Sequence, residues 1–532
     1  MAKGIELPEL SEAELTPAVV KLLEMAQELA ERVQLQEEEI GRLKDEIAVL
    51  KKQKKRPKIK PSKMDDNTGG DGTGNTGSRR SRPPKSKSKK TQDLEIHHRE
   101  VVKVEGVQED WTFKGYDKYV VQDLRIEPDN TCYLLEQWEK PDGTYVIAKA
   151  PAGGHYGATL VSYVLHQYHH QHVTQPLLLE QLKELEFKIS AGKLSDLIIE
   201  GKEDFHREKD ELLAVGKEVS NYLQTDDTGA RHKGKNGYCT YIGNDLFAWF
   251  ESTESKSRVN FLGLLGAGHK DYVVNAGALE YMQQQGLAKA KVAVLEEHAG
   301  EFANHKAWTE HLSKLGIEGK RHIAIATEGA LMGSLLAHGL PTEMAIVSDD
   351  AGQFNVFRHG LCWIHAERVI VRIIPLNETH RKEQQWVREQ IWDLYADLKA
   401  YKAAPTDELK EEIDARFEEL CATRMRFATL GQALKRLHRN KAELLLVLEK
   451  PWLPVHNNLS ESDIREYVKK RKISGSTRSD LGRQCRDTFT SLKKTCRKHG
   501  ISFWHYLKDR VSGKNAIPPL TEYIRQAAHS RM

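Results

Sequence analysis

From Lys51 to Lys90 the chain reads KKQKKRPKIKPSKMDDNTGGDGTGNTGSRRSRPPKSKSKK. Gly, Ser, Pro and Lys stand where apolar residues would be needed, so this run has almost nothing to bury. It cannot offset the entropy lost on ordering and is expected to be disordered when free. Folded parts must therefore form on either side of it. At 532 residues the chain has room for several domains of roughly 100 to 200 residues, and with 39% AVILMFWYC it can build a sizeable core. No stretch approaches the roughly 18 apolar residues of a membrane span, and the opening MAKGIELPEL lacks the apolar stretch of a signal peptide. A soluble cytoplasmic protein with no membrane partner is expected. The six cysteines (Cys132, Cys239, Cys362, Cys421, Cys485, Cys496) are scattered, which disfavours both a disulfide framework and a CxxC zinc pair.

The formal net charge of +3 hides its distribution. Residues 51–92 carry fifteen Lys/Arg against Asp65, Asp66 and Asp71, and residues 463–499 carry twelve against Asp463, Glu466, Asp480 and Asp487. These tracts of +12 and +8 leave −17 for the rest. Clustered cations bind polyanions by releasing condensed counterions, so a nucleic acid is one reading. A solubilising linker beside one solvated helix face is the other.

Ahead of the linker, Leu22, Met25, Leu29, Val33, Gln36, Ile40, Leu43, Ile47 and Leu50 recur at spacings of three and four. The second half is a heptad seam with one polar interruption at Gln36. Nothing foldable follows Leu50 to cover that seam, so residues 18–50 read as a coiled coil that associates copies of the chain, and residues 51–94 as a basic linker.

Residues 95–150 alternate in short segments (KYVVQDLRI, CYLLEQWE, TYVIAKA) separated by EPDN and KPDG, the pattern of a small β-rich unit. Residues 151–220 turn helical. There PLLLEQLKELEF and SAGKLSDLIIEG, the second with Ser190 suited to capping, are compatible with a helix-turn-helix and equally with two packed helices of any bundle. His166, His169 and His170 share a helix face, where packing is preferred over metal binding. Residues 221–375 bring strands (NYLQTDDTG, GYCTYIGN, LFAWFEST, MAIVSDD), interrupted at about 269–341. Residues 376–450 are amphipathic helices, and residues 451–532 are helical and basic.

Three acidic sites stand out by context. TDDTG follows a strand, SDDAGQF ends an apolar strand, and HNNLSESDIREYV starts a helix. Carboxylates at adjacent strand ends, joined by one from a nearby helix, can converge outside the sheet. Two Asp and one Glu suit a pair of Mg²⁺ ions, because hard cations want oxygen ligands. Each site also has a plain alternative: Asp-Asp-Thr-Gly is a good turn, and Asn458-x-x-Glu461 fits a capping box. Spacing alone leaves both open. Trp452 and His456 precede the glutamate, and Lys469, Lys470, Arg471, Lys472 and Arg478 are candidate phosphate contacts or a solvated face.

In order along the chain, TDDTGARH, SDDAGQF with CWIHAER just after it, and NNLSESDIR followed by RKISGSTRSDLGR resemble the motifs of bacterial insertion-sequence transposases of the sixty-six family. That family belongs to the DDE transposase superfamily and has an RNase H-like catalytic core. The resemblance runs from about His155 to Tyr506. It implies a multidomain α/β protein with an RNase H-like mixed sheet and helical insertions, preceded by the coiled coil, the small β-rich unit and the helix-turn-helix-like region. It implies that Asp226, Asp349 and Glu461 are catalytic and hold two Mg²⁺ ions, with Mn²⁺ as a substitute. His365 would lie near the reacting phosphate and Cys362 beside it. The expected activity is cleavage of transposon ends and their joining to target DNA, in a nucleoid-associated bacterial enzyme. A catalytically inactive DNA-binding relative and a structure-selective nuclease are the alternatives. Three departures from the family pattern stand out. A Cys-rich finger expected near 95–150 is reduced to Cys132; Ser462-Asp463 replaces Arg-Ala after the glutamate and Asp350 replaces a Gly; and the segment from about His269 to Pro341 is longer than the family's usual connection.

Overall fold

The computed structural model describes residues 94–530, except 107, 109–110 and 151–153. The coiled coil expected over 18–50, and the basic linker up to residue 93, lie outside the described residues. The described residues fall into two compact units, 94–130 and 131–530. Among the described residues of the first there is no helix or strand, and nearly every side chain is exposed. Alternation alone did not make KYVVQDLRI a strand. A strand needs cross-strand neighbours and a surface to pack on, and among the described residues none forms around it. The second unit opens with a hairpin, Gln137–Glu139 against Tyr145–Ile147. Its KPDG turn is held by Gly143 N donating to Lys140 O at 2.9 Å and Thr144 N donating to Asp142 Oδ1 at 2.9 Å.

The centre of the second unit is a five-stranded sheet of β1 (Tyr222–Gly229), β2 (Tyr238–Gly243), β3 (Ala248–Thr253), β4 (Ala345–Ser348) and β5 (Arg358–Leu361), in the order β3-β2-β1-β4-β5. β2 is antiparallel to both its neighbours, whereas β4 is parallel to β1 and to β5. β4 is an unbroken buried run, Ala-Ile-Val-Ser, as expected of a parallel strand covered on both faces.

At one edge, β3 lies against the helix α5 (Asp480–Lys498), with α1 (Glu203–Val219) packed alongside. The outer amides of β3 do not go unmet. Ser252 N donates to Asp487 Oδ2 at 2.8 Å, Phe250 N to Ser491 Oγ at 2.9 Å and Ala248 N to Thr495 Oγ1 at 3.1 Å. Four helical residues rise roughly 6 Å, and two strand residues span roughly 6.6 Å. Acceptors every fourth residue on the helix thus stay level with amides at every second residue of the strand. The edge is closed without another strand, which removes a site for unwanted pairing.

Helices fill the two long connections. Between β3 and β4 come Arg258–Leu265, Ala276–Gln284, Lys289–Glu297, His305–Lys314 and α2 (Lys320–Ala337), with a small hairpin of Tyr272–Val273 and Glu301–Phe302. After β5, α3 (Trp363–Arg372) leads into Glu378–Ala403, Asp407–Ala422 and Ala428–Arg439, which bury Val387, Ile391, Leu394, Phe417 and Leu434 in a core of their own. The chain then returns to the sheet as α4 (Asn458–Ser474) and α5.

Ahead of the sheet, helices Gln175–Glu184 and Ala191–Ile199 share a small core of Leu178, Leu182, Leu194 and Ile198. Ser190 caps the second, its Oγ accepting from Lys193 N at 3.2 Å. The histidines before them form a π-helical turn, His166–His170, in which His169 stacks on Phe489 at 4.2 Å and His166 on His170 at 4.6 Å. These rings are packed. Among the described residues no helix is long and apolar enough to cross a membrane.

Candidate active site

Parallel pairing sets the geometry. On β1 and β4, Gln224 is opposite Val347, so two residues further on, Asp226 within β1 comes level with Asp349, just past the end of β4. On the next strand Ser348 is opposite Leu361, and Cys362 N donates to Ser348 O at 3.0 Å. α3 springs from that point and places His365 and Arg368 one turn apart.

α4 is pinned to the same edge by its entrance. Asn457 donates from Nδ2 to Thr225 O at 2.8 Å and from its backbone N to Cys362 Sγ at 3.2 Å, while Gln224 Nε2 donates to His456 O at 3.0 Å. Glu461 therefore stands in the first turn of α4 beside Asp226. No side chain caps this helix, so the capping box does not form. The Glu461 carboxylate instead accepts from Arg368 Nη1 at 3.0 Å and Arg465 Nη2 at 3.3 Å, with His365 Nε2 3.5 Å away.

Asp226 is raised to about 7, first by burial and then by Asp349, with Asp227 and Glu461 adding to the rise and the Asp227 amide opposing it. That amide donates to Asp226 Oδ1 at 2.8 Å. Burial also raises Asp227, which Lys256 and Gln353 counter; Gln353 Nε2 donates to Asp227 Oδ2 at 2.7 Å. Burial lowers His365, against the pull of Glu461. Among the described residues, no three ligand groups that include these acids come within 4.8 Å of one another. Beside Asp349 opens a cavity of about 240 Å³, lined by Cys362, His365, Arg368, Arg372 and Arg436 together with apolar side chains.

Two departures from the family pattern have local explanations. Asp350 pairs with Arg436 of helix Ala428–Arg439, tying the helical connection to the end of β4. Asp463 is buried and accepts from Tyr241 Oη at 3.0 Å, with Lys494 at 2.8 Å and Lys498 at 2.7 Å. The lone Cys132 is an exposed free thiol.

The basic residues separate. Lys469, Lys472 and Arg478 are exposed. Lys470 is buried, donating to Tyr168 O at 2.7 Å with its Nζ 3.4 Å from the centre of the Tyr168 ring, so it is not presented as a phosphate contact. Arg471 is half-buried and donates to Thr228 Oγ1 at 3.0 Å and to Gly229 O. Sequence reasoning passed over Arg368, Asn457, Gln353 and Arg436. Arg368 was within reach: it lies three residues after His365, on the same helix face.

The family model described as Transposase IS66 family matches residues 342–485. That stretch contains Asp349, Cys362, His365 and Glu461, and Asp226 lies ahead of it. The chain is also 40% identical over 321 residues to the uncharacterized protein y4jO of Sinorhizobium fredii, an alignment that spans 60% of this chain and all of that protein. The chain belongs to the IS66 family of transposases.

Proposed function

We propose that this chain is a DDE transposase that cleaves transposon ends and joins them to target DNA by two-metal phosphoryl transfer, with the five-stranded sheet as an RNase H-like core. Asp226 carries the reading. Its carboxyl is pushed up to about 7 by burial and by Asp349, Asp227 and Glu461, so the pocket favours positive charge. The donors are all carboxylate oxygens, which suit Mg²⁺ or Mn²⁺. Two aspartates and a glutamate are enough oxygen donors for a pair of such ions.

Asp226, Asp349 and Glu461 would hold the ions. Bound there, the pair would supply activation of water or of a DNA 3′-OH and stabilisation of the leaving oxygen. The chain's own residues bind and orient. Asp226 is fixed within β1 and Asp349 just past the end of β4, and Glu461 is fixed by the pinning of Asn457 to β1. Arg368 balances Glu461, and with Arg372 and Arg436 it lines the cavity beside Asp349 with cations suited to phosphates. Lys469, Lys472 and Arg478 extend that charge along the surface. Joining two ends needs at least two cores, which the seam over residues 18–50 would bring together.

The test is incubation of the full chain with linear DNA carrying the element's ends, in Mg²⁺ or in chelator. Metal-dependent end cleavage and joined products are expected. Asp226→Asn, Asp349→Asn and Glu461→Gln should each remove both while end binding persists. Hydrolysis without joining would assign a nuclease, and binding alone an inactive relative.

A further inference from the structure

The segment between β3 and β4 has a neck of unusual composition. His269 and Asp271 lie where the chain enters its small hairpin, and His338 follows the last residue of α2, where the chain leaves for β4. His338 Nε2 is 3.0 Å and 3.1 Å from Oδ1 and Oδ2 of Asp271. The His269 ring stacks on the His338 ring, with centroids 3.6 Å apart and planes at 18°. One ligand atom from each of the three lies within 4.8 Å of the other two.

The surroundings favour a cation. Ser334, one turn back on α2, donates from Oγ to Asp271 Oδ2 at 2.9 Å and fixes the carboxylate's direction, as outer partners of metal ligands do. The C-terminal end of α2 adds the partial negative charge of the helix dipole. Two imidazoles and one carboxylate suit Zn²⁺, with water in the fourth position, and are a poor set for Mg²⁺.

We propose that His269, Asp271 and His338 form a zinc site that clips the two ends of this inserted segment together. Its place gives it a use. The ligands come from the beginning and end of a long excursion, and a cross-link that closes a long loop removes the most freedom from the open chain. The clip would hold the base of the segment just before β4, the strand that delivers Asp349. The inference does not depend on the transposition chemistry.

The test uses the full chain, stripped of metal by chelation and then supplied with excess Mg²⁺ to occupy all-oxygen sites. Titration with Co²⁺ should give about one equivalent of the strong visible absorption of a tetrahedral site, displaced by one equivalent of Zn²⁺. Zn²⁺ should also raise the melting temperature and slow proteolysis between residues 272 and 337. His269→Ala is the clean variant, because the hydrogen bonds among Asp271, His338 and Ser334 survive it. It should lose the absorption and the Zn²⁺ response while melting like the metal-free wild type. Ser334→Ala should weaken Zn²⁺ binding by about 10–100-fold. Wild-type chain with no Co²⁺ absorption, or absorption kept in both His269→Ala and His338→Ala, would overturn the site.

Discussion

Arg368 reaches from α3 to the first turn of α4 and donates from Nη1 to Oε1 of Glu461 at 3.0 Å. The carboxylate is thus balanced by a guanidinium from another element and leaves the amides of its own helix alone. The capping box that the Asn-x-x-Glu spacing allowed does not form. As a capping residue, Glu461 would be replaceable by Gln; as a carboxylate held toward Asp226 and Asp349, it would not. Gln at 461 keeps the volume and can still accept from Arg368, so the melting curve should stay close to wild type. Cleavage should fall by on the order of 10²–10³-fold, the equivalent of a few kcal/mol of transition-state stabilisation. Wild-type cleavage by Glu461→Gln would remove that residue from the site.

Asp226 links the site to pH. With its carboxyl at about 7, the folded protein keeps a proton between about pH 4 and pH 7 that the unfolded chain has lost. Stability without divalent metal should therefore fall as pH rises through that window, because the native state binds more protons there. Asp226→Asn should flatten this slope in urea titrations at stepped pH. Divalent metal needs the carboxylate, so calorimetry in two buffers near pH 6 should show about one proton released on binding, and little near pH 8. Proton release unchanged in Asp226→Asn would place it on another group.

The family motifs and the strand-then-acid pattern were legible in the sequence because they are local. TDDTG was expected to follow a strand and is instead the second half of β1, while SDDAGQF begins on the last residue of β4, a buried parallel strand as its apolar run suggested. What the sequence did not disclose depends on elements far apart in the chain. The basic tract over 463–499 looked like one charged face, yet Lys493 pairs with Glu466 at 2.6 Å, and Lys494 and Lys498 with Asp463. Part of its charge is spent inside the fold. Asp487, Ser491 and Thr495 at four-residue spacing had no role legible in the sequence, because nothing local announces that an edge strand lies across them.

That edge offers a direct test of packing. Ser491 Oγ is the acceptor for Phe250 N, and both residues are buried. Ser491→Ala leaves a strand amide without a partner in a place water does not reach, which costs about 1–3 kcal/mol. Ser491→Thr keeps the hydroxyl and should recover part of the loss. Denaturant unfolding of the two variants checks this, and equal destabilisation by both would point to steric crowding and away from the hydrogen bond.

The last prediction separates cations that look alike in sequence. Lys469 and Lys472 are exposed on α4 and Arg478 in the turn that follows, whereas Lys470 is 3% exposed and held by the Tyr168 carbonyl and ring. Burial, with Arg486 and Lys493 nearby, lowers Lys470 to about 7, so it carries only part of a charge near neutrality. Each phosphate contact adds about 0.9 to the slope of log affinity against log salt. Replacing Lys469, Lys472 and Arg478 together by Ala should flatten that slope by up to ~2.7, while base preference survives, since phosphate contacts position a protein without reading sequence. Lys470→Met keeps the buried stem and removes the amine, so it should leave the salt slope unchanged and act on stability alone. Fluorescence anisotropy of labelled DNA across a salt series, beside a melting curve for each variant, reads both quantities. If Lys470→Met flattens the slope as much as Lys472→Ala does, then Lys470 leaves Tyr168 on binding DNA, and its packing belongs to the free protein alone.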